Sequence, residues 1–208
     1  MHDTLSGLLH RLHRPVYTER FRVLSELITA QLRPGERVLD VGCGDGALAR
    51  SVLDHPACPP DLRYEGLEHA PRGDAPMPVH AYDGRRMPFA DGSVDAVLAV
   101  DVLHHADDPF QLMAECARVA RRVVIVKDHQ VAGPLARQRL SLLDWAANAA
   151  HGVPCPHRYL SPGQWAALPS RYGLAPTTEL RSIRLYPRGW NAVFGNRLQY
   201  LVVLEPVR

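Results

Sequence analysis

The sequence predicts an α/β fold in which a doubly wound, mostly parallel sheet carries helices on both faces. Three observations predict it. Short continuous apolar runs read as strands buried on both sides. Helix-length segments with apolar residues at i, i+3 and i+4 alternate with those runs. A glycine cluster stands directly after the first run, the pattern of a buried strand entering a tight turn.

Taken in order, Tyr17 to Leu32 places Phe21, Leu24, Leu27, Ile28 and Leu32 on one helical stripe, which Pro34-Gly35 ends. Arg37–Val41 is the first strand, and Ala47–Leu53 can form the helix after the glycines. A proline-rich loop leads to a short strand at Arg63–Glu68. Val94–Val100 (VDAVLAV) suits a central parallel strand, Pro109–Ala120 the next helix, and Val123–Val126 (VVIV) another fully buried strand. Strands and helices that alternate with crossovers of this length imply the doubly wound arrangement. Pro134 to Ala150 reads as an amphipathic helix, with Pro134 at its first position and Gly152 at its stop. The following GVPCPHRYL holds too much proline for a strand interior. Ser161-Pro162 starts a helix through Arg171. Two strands, near Thr178–Tyr186 and Leu198–Glu205, close the chain around an aromatic and glycine loop, Pro187–Asn191.

Composition narrows the function classes. The 208 residues suit one domain with a full core, and 46% are hydrophobic. Of 24 basic residues only Lys127 is a lysine. Arginine is the phosphate-reading cation, yet 22 acids nearly balance the charge at +2 and no basic block is dense, which disfavours a nucleic-acid partner. A coding bias accounts for the arginine excess. No apolar run approaches the roughly 20 residues of a membrane span, and Met1 to Arg20 has no signal-peptide core. Cys43, Cys58, Cys116 and Cys155 lie far apart, with neither CxxC nor zinc spacing, as in a cytoplasmic protein with reduced thiols. Eleven histidines form no metal-binding spacing, so no metal site is expected unless scattered ligands converge in space.

The strongest local signal is Val38-Leu39-Asp40-Val41-Gly42-Cys43-Gly44-Asp45-Gly46. Glycines here let the backbone approach a ligand closely. Gly42, Gly44 and Ala47 satisfy a dinucleotide fingerprint by letter, but Asp40 would repel a pyrophosphate and suits a ligand carrying an ammonium group. Asp45 reads as an ordinary helix N-terminal charge.

VLDVGCGDG resembles the first motif of class I S-adenosylmethionine-dependent methyltransferases, and PFADGSVDAVLAVDVLHHADDP resembles the fourth-strand region of their small-molecule, type 11-like branch. The resemblance runs from about Arg37 to Asp128. It implies a Rossmann-like, three-layer α/β/α fold on a mostly parallel seven-stranded sheet with an antiparallel C-terminal strand. It also implies S-adenosylmethionine as cofactor, S-adenosylhomocysteine as product and a small organic acceptor as partner. By this resemblance Asp40 meets the ammonium, the Gly42, Gly44 and Gly46 backbone packs on the amino-acid tail, and Glu68 accepts the ribose hydroxyls. Asp83 and Gly84 read the adenine, His69 and Met87 sandwich it, and Asp101 lines the methionine end. The second-strand acid is usually Asp in the family; Glu68 keeps its chemistry with a longer reach.

Methyl transfer is an in-line displacement, so alignment supplies up to roughly 7–11 kcal/mol and a base is needed only for an acceptor that holds its proton tightly. Candidates lie beyond the strand ends, where open parallel sheets bind ligands. His105 and His129 are the expected pair facing the acceptor, with Lys127, Asp128, Trp145 and Tyr159 as acceptor contacts. The N-terminal helices (about 1–33) and an insertion (about 130–160) are expected to form a lid or acceptor wall on a single domain over 1–208, with a dimer contact as the other reading. The competing functions are methylation of RNA or protein, a non-catalytic S-adenosylmethionine-binding protein and, last, a nicotinamide oxidoreductase.

Overall fold

The computed structural model describes residues 2–71, 74–148 and 156–207, and side-chain surroundings for 16–71, 74–145 and 156–207. Its elements are α1 (His2–Thr29), β1 (Arg37–Val41), α2 (Ala47–Leu53), β2 (Arg63–Glu68), β3 (Val79–Ala81), β4 (Val94–Val100), α3 (Pro109–Val119), β5 (Ala120–His129), α4 (Ala136–Asn148), α5 (Pro162–Arg171), β6 (Leu174–Leu180), α6 (Arg188–Phe194) and β7 (Gln199–Pro206). One sheet of seven strands runs β3-β2-β1-β4-β5-β7-β6. The first five are mutually parallel, and β7 is antiparallel to both β5 and β6. This is the expected doubly wound sheet with its reversed C-terminal strand.

Side chains of β4 alternate between two cores. Val94, Val97 and Ala99 pack with Leu112, Met113 and Cys116 of α3 and Trp165 of α5. Ala96, Leu98 and Val100 pack with Leu24 and Ile28 of α1 and Leu48 and Val52 of α2. A strand covered on both faces has no polar side, which is why VDAVLAV reads as a continuous apolar run. The chain order reverses between β1 and β4, the switch point where open sheets of this kind form a crevice.

Several boundaries differ from expectation, each for a physical reason. The first helix is one continuous segment that stops at Thr29, three residues early, with Ala30 in a turn. β5 extends well past VVIV, because β4 and β7 hydrogen-bond it from both sides and carry Lys127, Asp128 and His129 into the sheet. β6 lies at Leu174–Leu180 instead of Thr178–Tyr186. It begins just after Gly173, whose φ of 63° ends α5, and its register shifts between Pro176 and Thr178, as an edge strand permits for proline. The aromatic and glycine loop is instead α6. β3, three residues at the sheet edge, has too little apolar content to be read from the sequence. The expected stop at Gly152 and Cys155 lie outside the described residues.

Candidate active site

The turn after β1 is made by three glycines in the left-handed region, Gly42 (φ 70°), Gly44 (φ 58°) and Gly46 (φ 76°). They are not equivalent. A Cβ on Gly42 would lie 2.4 Å from Val102 Cγ2, and one on Gly46 would lie 2.5 Å from Pro76 Cδ. A Cβ on Gly44 would meet nothing within 4 Å, so the loop is open there to an approaching ligand. The Gly42 and Cys43 amides donate to the Leu67 carbonyl at 2.8 and 3.2 Å, which ties the loop to β2. Glu68, at the end of that strand, accepts the Gly44 amide at 2.8 Å through one oxygen and the His69 amide at 2.8 Å through the other.

Asp40 is buried in β1, with the Tyr64 hydroxyl 3.4 Å from its carboxylate. Burial pushes its pKa up to about 7; the Tyr64 bond opposes that and the Glu68 charge adds to it. Asp45 accepts the Ala47 amide at 3.1 Å, beside the start of α2 as expected. Beyond β2, a pocket of about 400 Å³ is lined by His69, Ala81, Tyr82, Asp83, Arg86 and Pro88. Gly84 turns the chain there at φ 80°, and Asp83 accepts the Arg85 amide. Met87 is a correction: it is 1% exposed and packs in the core with Leu112 and Met113, and Arg86 and Pro88 flank the pocket in its place.

At the ends of β4 and β5 the chain buries a dense group of charges. Asp101 follows β4 at φ 53°, a strained conformation for a residue with a Cβ, and its amide donates to the Lys127 carbonyl at 2.7 Å. One of its carboxylate oxygens accepts from Lys127 Nζ and the other from Arg20 of α1, both at 2.5 Å. Burial alone would raise the Asp101 pKa, but Lys127 and Arg20 hold it well below the usual range. Lys127 has no exposed surface, and that burial lowers its own pKa against the pull of Asp101.

His104, in the short 3-10 turn Leu103–His105, places Nδ1 2.5 Å from Asp128 Oδ1. Burial works against its charged form, yet Asp128 and Asp144 overcome it and raise the His104 pKa to about 9. The neighbouring His129 goes the other way: burial lowers its pKa to about 3, so it is neutral. Asp128 also accepts the His129 amide at 2.6 Å, and the His129 carbonyl accepts from Trp165 Nε1 at 3.2 Å. From α4, Asp144 faces both rings and accepts the Tyr159 hydroxyl, which also lies 3.0 Å from His157 Nδ1.

Of the residues expected at the acceptor side, Lys127, Asp128, His129 and Tyr159 come together here, beside Asp101, which was expected at the methionine end. His105 is half-buried at the edge of this group, its ring tilted against that of His104 with centroids 4.1 Å apart, and Trp145 stands apart, 64% exposed on α4. His104, Asp144 and Arg20 were not anticipated as site residues. The signal for Asp144 was present, since it is the single acid between His129 and Glu179 and stands four residues after Leu140 on one helical face. The histidines, without metal spacing in the sequence, converge in the fold: one donor atom each from Asp101, His104 and His129 lie within 4.8 Å of one another.

The architecture is that of the Rossmann-like methyltransferases. A solved structure of 1,6-didemethyltoxoflavin-N1-methyltransferase from Burkholderia thailandensis, with bound 1,6-didemethyltoxoflavin and S-adenosylhomocysteine, superposes with a TM-score of 0.65 over 99% of this chain and 86% of that one at 17% identity. Residues 39–125 match the family model described as Methyltransferase domain, of type 11. An uncharacterized methyltransferase from Mycobacterium sp. (strain JLS) is 38% identical over 91 residues, 42% of this chain and 35% of the relative. A ubiquinone biosynthesis O-methyltransferase from Hahella chejuensis is 34% identical over 103 residues, 42% of this chain and 40% of the relative. The chain thus spans well under half the length of these curated relatives. Over residues 39–125 it is similar to class I S-adenosylmethionine-dependent methyltransferase domains of the type 11 kind.

Proposed function

We propose that the chain transfers the methyl group of S-adenosylmethionine to a small organic acceptor. The observation that carries this reading is the open Gly44 position between β1 and α2, flanked by Glu68, Asp40 and the Asp83 pocket. A sulfonium donor supplies a methyl already activated for displacement. Glu68 would exchange its contact with the loop for the ribose hydroxyls, Asp83 and Gly84 would read the adenine with His69 beside it, and Asp40 would compensate the ammonium. Asp101 would line the methionine end, which places the acceptor against the His104–His129–Asp144 face and below Tyr159. Lys127 and Asp128 then act by positioning Asp101 and His104. His105 would stand at the rim of the acceptor space.

α4 packs Leu140 and Ala136 on Tyr159 and Leu198 and brings Asp144 against His104 and His129, which walls the space beyond β5. The name of the Hahella relative supports the same substrate class. Isothermal titration with S-adenosylhomocysteine tests cofactor binding, and no heat at millimolar ligand overturns it. Isotope-labelled S-adenosylmethionine added to cell extracts then shows whether a small molecule, an RNA or a protein gains the label.

A further inference from the structure

The four side chains at the centre of the buried charge group are spaced for something other than each other. His104 Nε2 stands 3.5 Å from Asp144 Oδ2, and His129 Nε2 stands 3.6 Å from Asp144 Oδ1 and 3.9 Å from Asp101 Oδ1. These separations are long for hydrogen bonds between charged or polar groups, which close to about 2.7–3.2 Å. One donor atom each from Asp101, His104 and His129 lie within 4.8 Å of one another, close enough to share an ion whose bonds to nitrogen and oxygen are about 2.0–2.2 Å, and the Asp144 carboxylate lies beside both imidazoles.

We propose that His104, His129, Asp144 and Asp101 bind one first-row divalent transition-metal ion. Each donor is held from behind. Asp128 on Nδ1 of His104 turns Nε2 inward, the carboxylate–histidine arrangement that orients metal ligands in general. Tyr159 fixes Asp144. The His129 main chain is pinned at its amide by Asp128 and at its carbonyl by Trp165. The His129 side chain is 5% exposed, its Nδ1 is buried without a partner, and its Nε2 is aimed at the two carboxylates across the gap.

Two imidazoles and two carboxylates favour Zn²⁺ or Co²⁺ over Mg²⁺ or Ca²⁺. Asp101 Oδ1, the oxygen that faces His129, also accepts from Lys127, and Oδ2 accepts from Arg20, so Asp101 is the weakest of the four donors.

The test needs no methyl donor or acceptor, so its result is separate from that of the proposed methyl transfer. The full chain, stripped with a chelator and titrated with Co²⁺ near pH 7.5, is expected to take up one equivalent with the visible bands of four-coordinate cobalt, which Zn²⁺ then displaces. His129→Gln is expected to abolish those bands, and Asp128→Asn to weaken binding about 10–100-fold. Circular dichroism of the metal-free variants checks that they fold. Should neither variant fold, the wild type decides alone, since a bound ion raises the melting temperature with metal concentration by mass action. Absence of saturable Co²⁺ uptake, uptake unchanged in folded His129→Gln, or imidazole NMR signals of His104 and His129 unmoved by Zn²⁺ would each overturn the proposal.

Discussion

The Glu68 carboxylate bridges two backbone amides, Gly44 at 2.8 Å and His69 at 2.8 Å, and so links the glycine loop to the end of β2. A carboxylate held in this way is already oriented, and it can trade one amide for a pair of hydroxyls without turning away from the loop. Bonds to a charged group are each worth about 1.5–3 kcal/mol. Glu68→Ala is therefore expected to weaken S-adenosylhomocysteine binding about 10–100-fold, with Glu68→Gln in between, as measured by calorimetry. Equal affinity in all three proteins would remove Glu68 from the cofactor site.

The glycine loop separates folding from binding within five residues. Gly42→Ala drives a methyl group into Val102 and adds the strain of positive φ, so it is expected to lower stability by about 2 kcal/mol or more. Gly44→Ala has space for its methyl group and incurs only the backbone strain, about 1 kcal/mol. That methyl group would stand where the ligand approaches. Urea denaturation should therefore rank Gly42→Ala as the less stable variant, while calorimetry should show the larger share of lost affinity per unit of lost stability in Gly44→Ala. The reverse ranking would mean that the open side of the loop is not the ligand side.

How far the sequence reached follows from where the information sits. Arg37–Val41, Ala47–Leu53, Arg63–Glu68 and Val94–Val100 were readable to the residue, because two-sided burial and glycine turns are local patterns. β6 was misplaced because an edge strand written LAPTTEL lacks that apolar signature. Met87 was read as a ligand contact because nothing local distinguishes a core methionine from one lining a pocket. His104 and His105 are adjacent and chemically identical, and only the position of Asp128, 24 residues on, decides which is buried and paired. Pairings such as Arg20 with Asp101, 81 residues apart, are products of the fold and carry no spacing to read.

Asp40 makes stability and binding depend on pH. Its folded pKa of about 7 exceeds the 3.8 of an ordinary aspartate because it is buried, so between those values the folded chain binds a proton that the unfolded chain has lost. The slope of stability with pH is then negative: this contribution falls as pH rises from about 4 to about 7 and is level above, an order of 4 kcal/mol in all. The lowered pKa of His129 contributes the opposite slope below about pH 6.5, so the decline should be read as the difference between wild type and Asp40→Asn in denaturation curves at pH 5, 6, 7 and 8. A ligand ammonium would favour the ionised carboxylate, so cofactor binding near pH 6 should release a proton. Calorimetry in buffers of different ionisation enthalpy reads that release directly, and it should disappear in Asp40→Asn.

Lys127 is the chain's single lysine, and its ammonium is wholly buried against Asp101, which also carries Arg20. Removing one partner of a buried ion pair costs about 3–5 kcal/mol because the other charge is left without compensation. Asp101 would keep Arg20, so Lys127→Met is expected at or below the low end of that range. Asp101→Asn would leave Lys127 and Arg20 in mutual repulsion and should cost at least as much. The double variant removes one charge of each sign and should be clearly less destabilised than the sum of the two, with a coupling on the order of 1–3 kcal/mol in a double-mutant cycle from urea denaturation. Strict additivity would show that the contact is not energetically coupled, and that the lysine is held by the packing around β5 alone.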